Sequence, residues 1–246
     1  MRDNISDKTF DLFEVILVEP QESLNVGSVA RAMKNLGFSR LSLVAPRGYS
    51  FEKAKITARW AEDLLAQAKI YNTFEESLSE ATEVVGFAAK TESFAYENLL
   101  FGDWLEKVSP ALNGRVALLF GPEDNGLHHC HLKECRYVVR LPSHQDYPAF
   151  NLAQSVLLAL YEIARPELSV ANRNNLGKAN ELPTWNEFFR LDAMIDEIIL
   201  KRDFTRRNSN PRVVYELKNL LRRTAPDARQ ARILLSFFSE ILKGLK

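Results

Sequence analysis

Few folds accommodate the stretch from Arg115 to Ala164. An apolar run, Val116 to Phe120, turns through Gly121-Pro122-Glu123-Asp124-Asn125-Gly126-Leu127. A second run, Tyr137 to Leu141, stops at Pro142 and passes into a polar loop, Ser143 to Pro148. A helix-like segment, Ala149 to Tyr161, follows. Short apolar runs closed by Gly and Pro read as strands buried on both faces of a parallel sheet. In open α/β sheets, ligands sit beyond the carboxyl ends of the strands. A small-molecule site is therefore expected at Phe120 to Leu127 and Leu141 to Leu152.

The same alternation runs through the preceding residues. Phe13 to Val18, Leu41 to Val44, Ile70-Tyr71 and Glu83 to Phe87 read as strands. A helix is expected from about Asn25 to Gly37, with Val29, Ala32, Met33 and Leu36 inward at helical spacing, Arg31 off that face, and Gly37 past the helix end. Lys55 to Ala68 reads as one helix, and Thr73 to Ala81 as another opened by a capping box, Thr73-Phe74-Glu75-Glu76. Ala88 to Ser93 reads as the exit loop of its strand, and Tyr96 to Val108 as helical. Strand and helix alternate to Arg165, which predicts a mostly parallel sheet covered on both faces and holding its own core.

Beyond Arg165 the pattern changes. Pro166 to Pro183 has no period and reads as a linker. Three helices are expected after it. One is capped by Thr184-Trp185-Asn186-Glu187 and runs to about Asp203; one runs from Asn210-Pro211 to Arg223; the last runs from Pro226-Asp227 to Lys243, with Pro in its first turn. Their apolar positions are Phe188, Leu191, Ile195 and Ile198, then Val214, Leu217, Leu220 and Leu221, then Ile233, Leu234, Phe237 and Ile241. That spacing suits a small bundle.

Net charge is zero overall but uneven. Lys201 to Arg232 carries ten basic and three acidic residues, an excess of seven that the rest of the chain offsets. Such asymmetry points either to a phosphate-binding surface or to a solvated helical face. No stretch is long and apolar enough to span a membrane, and Met1 to Lys8 is polar rather than signal-like. Cys130 and Cys135 are too close to frame a secreted disulfide fold. These features predict a cytoplasmic protein.

Three stretches stand in this order, each beside a strand candidate: Asn25-Val26-Gly27-Ser28-Val29-Ala30-Arg31-Ala32, Phe120 to Leu127, and Tyr147-Pro148-Ala149-Phe150-Asn151-Leu152-Ala153-Gln154. Together they resemble the SPOUT superfamily of RNA methyltransferases, in particular its TrmJ-like tRNA ribose 2′-O-methyltransferases. The tail is similar too, in Asn210-Pro211-Arg212 and Leu220-Leu221-Arg222-Arg223.

The resemblance implies an α/β fold with a mostly parallel sheet, a C-terminal trefoil knot and a small C-terminal helical extension. Residues 12–165 would form the catalytic domain binding S-adenosylmethionine, 166–183 a linker, and 184–246 a basic extension for tRNA. It implies a homodimer in which one subunit's Arg31 reaches toward the other's cofactor, and methylation in the anticodon loop. Cofactor contacts carry over to Phe87, Ala88, Ala89, Gly121, Leu141, Ala149, Phe150 and Asn151, and catalytic roles to Arg31 and Asn25. Gly121 and Gly126 would admit close main-chain approach to the cofactor, and the helix start near Asn25 would offer free N–H groups to an anion. A guanidinium keeps its proton above about pH 12, so Arg31 suits a phosphate clamp and stabiliser of a developing alkoxide better than a base.

Two positions depart from the family pattern. Ala149 stands where the third motif often has Ser, and Phe87 stands where a smaller polar residue is common and could crowd the cofactor. They support a rival reading, a degenerate member that binds RNA without methyl transfer. An unrelated α/β enzyme for an anionic nucleotide is a third reading, but the chain has neither a dinucleotide fingerprint nor a P-loop. His128-His129-Cys130-His131 and Cys135 invite a zinc reading, yet adjacent ligands point different ways, and no metal is expected. Trp60, Trp104 and Trp185 are read as core rather than as base-stacking surfaces.

Overall fold

The computed structural model describes residues 7–89, 98–107, 114–165, 182–201, 211–224 and 226–245. The expected linker, apart from residues 182–183, lies outside them, as do 90–93 of the expected exit loop and Arg202, Arg206, Arg207 and Asn210 of the basic segment.

Seven strands form one sheet in the order β3-β2-β1-β6-β4-β7-β5. They are β1 (Phe13–Val18), β2 (Arg40–Val44), β3 (Lys69–Tyr71), β4 (Glu83–Phe87), β5 (Asn98–Leu100), β6 (Val116–Phe120) and β7 (Tyr137–Arg140). Every strand pairing among the described residues is parallel. Both faces are covered, which is why β1, β4 and β6 are buried at every position.

Side chains alternate between two cores. Val15, Leu17, Leu118 and Phe120 meet α1 (Ser23–Leu36), α2 (Phe51–Ala58), α3 (Glu62–Gln67), α5 (Phe101–Lys107) and α7 (Leu152–Ala164). Ile16, Val18, Ala117 and Leu119 meet α4 (Phe74–Leu78) on the other face. That second core is completed by the tail. Trp185, Phe188 and Leu191 of α8 (Trp185–Lys201) and Leu235 of α10 (Ala228–Lys243) are buried in it, and the backbone N–H of Trp185 donates to Ala81 O at 2.6 Å. The α/β body therefore does not hold its core alone, contrary to the expectation from sequence.

Four local expectations are corrected. Lys55 to Ala68 is not one helix: α2 and α3 are separated at Arg59 and Trp60, which both take positive φ. Residues 98–100 are a strand, not helix, because they pair with β7 along its free edge. Pro226 lies outside α10, whose N-cap is Asp227 in a capping box with Gln230. Finally, α9 (Pro211–Arg223) turns polar groups inward: Asn219 and Arg222 are buried, whereas Leu217 and Leu220 are exposed. Ile233 and Phe237 of α10 are exposed as well, and Ala228, Ala231 and Leu235 are buried instead. The cause in α9 is electrostatic. The Arg222 guanidinium pairs with Asp192 of α8 and, at 2.7 Å, with Glu134, and lies over the Trp185 ring. A buried guanidinium needs such partners, so this cation belongs to the interior rather than to a phosphate-binding surface.

Candidate active site

The carboxyl ends of β4, β6 and β7, neighbours in the sheet, open into one cavity of about 490 Å³. Its buried wall is Phe87, Phe120, Leu127, Leu141 and Leu152; its exposed edge includes Asp124, Asn125, Asp146 and Tyr147. Seven of the eight residues expected to contact a cofactor line it: Phe87, Ala88, Ala89, Gly121, Leu141, Ala149 and Phe150. Asn151 does not. Its Oδ1 accepts from Ala153 N at 2.9 Å, capping α7, which begins at Leu152 rather than Ala149.

The loop at Gly121 closes on itself. A Cβ on Gly121 would lie 2.2 Å from Gly126 C and from Leu127 N, and Gly126 itself takes φ 66°. Glycine at 121 is thus required by the loop's own packing, not only by close approach of a ligand. Phe87 does not crowd the cavity. Its ring stacks on Phe120 at 4.4 Å and tilts against Phe101 at 4.9 Å, so it forms wall. The volume falls within the usual range for small-molecule sites, and three strand exits bring backbone donors and acceptors to an apolar surface. These residues fit a nucleoside cofactor whose base is held by main-chain groups and whose flat face lies on apolar wall.

The three motifs meet at Asn25. Its Nδ2 donates to Glu123 Oε1 at 2.9 Å, and its Oδ1 accepts from Asn151 Nδ2 at 3.2 Å. Glu123 also accepts from the backbone N–H groups of Gln21 at 2.9 Å and Glu22 at 3.1 Å. The anion expected at this helix start is thus supplied by the chain itself. Sequence reasoning assigned Glu123 no role. A signal existed: Glu22, at the N-cap of α1, makes no side-chain cap, and the first turn of α1 has no acid. A helix without its own cap needs a partner from elsewhere.

Arg31 stands apart from this network. It is exposed on α1, does not line the cavity, and has no ion pair among the described residues. Above it in the chain, Gly27 is in van der Waals contact with α2: a Cβ there would lie 2.0 Å from Ala54 O. At the His128–His131 cluster, the His131 ring packs on Phe74 at 4.9 Å, and its Nδ1 accepts from His128 N at 3.3 Å. Burial lowers the His131 pKa and raises that of the Cys135 thiol, whose sulfur lies over Gly86. Among the described residues no three metal-ligating groups converge, and no helix is long and apolar enough to cross a membrane.

Known proteins resemble this chain in sequence and in fold. A tRNA (cytidine/uridine-2′-O-)-methyltransferase TrmJ from Salmonella choleraesuis (strain SC-B67) is 30% identical over 230 residues, covering 92% of this chain and 95% of the relative. The crystal structure of TrmJ from Z. mobilis ZM4 superposes with a TM-score of 0.79 at 25% identity, over 93% of this chain and 98% of that one. A probable methylase family protein from Haemophilus influenzae Rd KW20 superposes with a TM-score of 0.62 at 27% identity, over 96% of this chain and 100% of that one. The SpoU rRNA Methylase family matches residues 12–161, a span that contains all three motifs and the whole cavity. The chain belongs to the SpoU methylase family.

Proposed function

We propose that this chain transfers a methyl group from S-adenosylmethionine to a ribose 2′-hydroxyl of tRNA, within the anticodon loop. The observation that carries this reading is that two of the motifs line one cavity and the third is tied to both of them through Asn25, which bonds Glu123 and Asn151. The relatives' activity on cytidine and uridine of tRNA supports the substrate class.

The bound cofactor supplies an electrophilic methyl group. The chain supplies the geometry. Phe87, Ala88, Ala89, Gly121, Leu141, Ala149 and Phe150 hold and orient it between an apolar wall and a polar edge. Asn25 and Asn151 keep the motif loops in register. Arg31, which has no ion pair among the described residues, binds a phosphate of the RNA and stabilises negative charge developing on the 2′-oxygen. Because Arg31 lies outside its own subunit's cavity, it serves the cavity of a second copy. The dimer is proposed to form through α1 and α7, which pack on each other and leave Leu24, Leu157, Leu158 and Tyr161 exposed beside the motifs. Such a self-complementary patch suits a two-fold interface.

In this reading 12–165 is the catalytic unit, threaded as a trefoil knot, 166–183 the linker and 184–246 the tRNA-binding extension of a cytoplasmic enzyme. The rival reading without methyl transfer rested on Phe87 and Ala149. Phe87 stacks on Phe120 as part of the cavity wall, and Ala149 lines the cavity without a hydroxyl.

The test is transfer of label from S-adenosylmethionine to bulk tRNA. Wild type is expected to label tRNA, and Arg31→Ala to lose nearly all transfer while calorimetry shows cofactor affinity unchanged. Parallel loss of cofactor binding would show Arg31 to be misplaced, and no transfer by wild type would support the rival.

A further inference from the structure

Trp60 is the residue that neither the core nor the cavity explains. It is 85% exposed, whereas Trp104 and Trp185 are fully buried. It stands at the corner between α2 and α3, where Arg59 takes φ 31° and Trp60 φ 67°. Two consecutive bulky residues in this region are strained, where glycine would turn without strain. The strained turn lifts an indole into solvent, with no ring or cation contact to hold it among the described residues.

Residues 52–63 carry three cations and three acids, and the cations are the less fully paired among the described residues. Lys53 and Arg59 are exposed and have no ion pair among the described residues, while Lys55 pairs with Glu52 and Asp63 with Lys34. Glu62 is the acid of the corner left without such a pair among the described residues. Ile56, one turn before Trp60, adds apolar surface at 66% exposure.

The corner is also placed beside the candidate catalytic arginine. Gly27, Arg31 and Lys34 follow one face of α1 at helical spacing. Gly27 abuts Ala54 and Thr57 of α2, and Lys34 bonds Asp63 of α3 at 2.6 Å. The Arg59–Trp60 turn joins Thr57 to Asp63 and so runs alongside the Arg31 turn of α1.

We propose that Trp60 is a stacking platform for an unpaired nucleotide of the RNA substrate, next to the one whose ribose Arg31 addresses, with Lys53 and Arg59 taking flanking phosphates. Aromatic faces bracketed by cations are how unpaired nucleotides are held, because every base has a flat π-face and every linkage a charge. A protein partner would call for a broader apolar patch, and here the apolar surface is one indole and one isoleucine. The inference rests on the reading of the chain as an RNA-directed enzyme.

The chain's own fluorescence tests it. With Trp104 and Trp185 buried, acrylamide quenching of the full-length protein reports Trp60. Unfractionated tRNA is expected to shield Trp60 from acrylamide. Trp60→Ala is expected to weaken tRNA binding by roughly five- to a hundredfold, with Trp60→Phe restoring most of it. Trp60→Gly is expected to bind tRNA as poorly as Trp60→Ala yet melt no lower than wild type, since it relieves the turn. A merely structural tryptophan would show the reverse, a lower melting temperature with unchanged affinity, and would overturn the proposal. So would tight tRNA binding that leaves Trp60 as quenchable as before. An indole shielded without RNA and exposed on dilution would make the corner a contact between copies, again overturning it. No tRNA binding by wild type would instead remove the underlying reading, and this proposal with it.

Discussion

Replacing Glu123 by Gln perturbs one carboxylate that three parts of the chain share. Oε2 accepts from Gln21 N, and Oε1 from Glu22 N and Asn25 Nδ2, all within 2.9–3.1 Å. Glutamine is nearly isosteric. With its oxygen in the Oε1 position it keeps two acceptances, but its amide then faces the Gln21 N–H, donor against donor. One charge-assisted bond, worth about 1.5–3 kcal/mol, is lost. The negative charge beside the first turn of α1 goes with it, about 0.3–1 kcal/mol. The loop is half-exposed, and water takes over part of the freed donor, so a net loss of about 2 kcal/mol is expected. For a chain of this size that is a fall in melting temperature of roughly 4–8 °C. Because the loosened loop, Gly121 to Leu127, lines the cavity, affinity for S-adenosylmethionine is expected to fall about tenfold, near 1.4 kcal/mol. Calorimetry and thermal melts of Glu123→Gln, Asn25→Ala and the double variant measure both effects. The account requires coupling of roughly 0.5–3 kcal/mol between the two sites. Strict additivity, or a lower melting temperature with unchanged cofactor affinity, would refute the idea that this network holds the loop.

Gly27→Ala should cost about 1–3 kcal/mol, measured by urea unfolding, because its Cβ would lie 2.0 Å from a backbone oxygen that cannot swing aside. Deleting residues 183–246 should give an aggregating or molten body rather than a folded dimer, since it strips Trp185, Phe188, Leu191 and Leu235 from the second core; a sharp thermal transition and retained cofactor binding would contradict this. Burial pushes the Glu83 carboxyl from 4.5 up to about 7, against the opposing Arg136 guanidinium at 3.0 Å. A folded-state pKa above the unfolded one means that stability from this group is full below about pH 4.5 and lost as pH rises through about 7. Comparison of Glu83→Gln with wild type by denaturant unfolding across that window should show a flatter pH dependence in the variant.

What was legible in the sequence was whatever local chemistry dictates. The runs at 13–18, 83–87 and 116–120 are buried on both sides in the structure, as mainly apolar runs imply. Gly37 ends α1 in the left-handed conformation, and Thr73 with Glu76 forms the expected capping box. The cavity was legible because its lining sits at strand exits, where loop composition is informative. The failures involve partners distant in sequence. No local signal breaks the chain at Arg59–Trp60, since neither residue is a natural turn former and the packing of α2 and α3 on α1 imposes the corner. The three residues of β5 are a strand because β7 offers an edge. Arg222 reads as one more surface cation, and only the fold encloses it between Glu134 and Asp192. Glu123 reads as a loop acid, and only the fold brings it to the uncapped start of α1.

The claim that a ribose oxygen receives the methyl group is tested most directly by the fate of label under alkali. The full-length protein is incubated with labelled S-adenosylmethionine and tRNA that lacks modification, and the RNA is then hydrolysed in base. Cleavage needs a free 2′-hydroxyl to attack the neighbouring phosphodiester, so a methylated ribose survives within a dinucleotide. The account predicts that the label is recovered in alkali-stable dinucleotides derived from the anticodon loop. Recovery of the label in mononucleotides would place the methyl group on a base and contradict it.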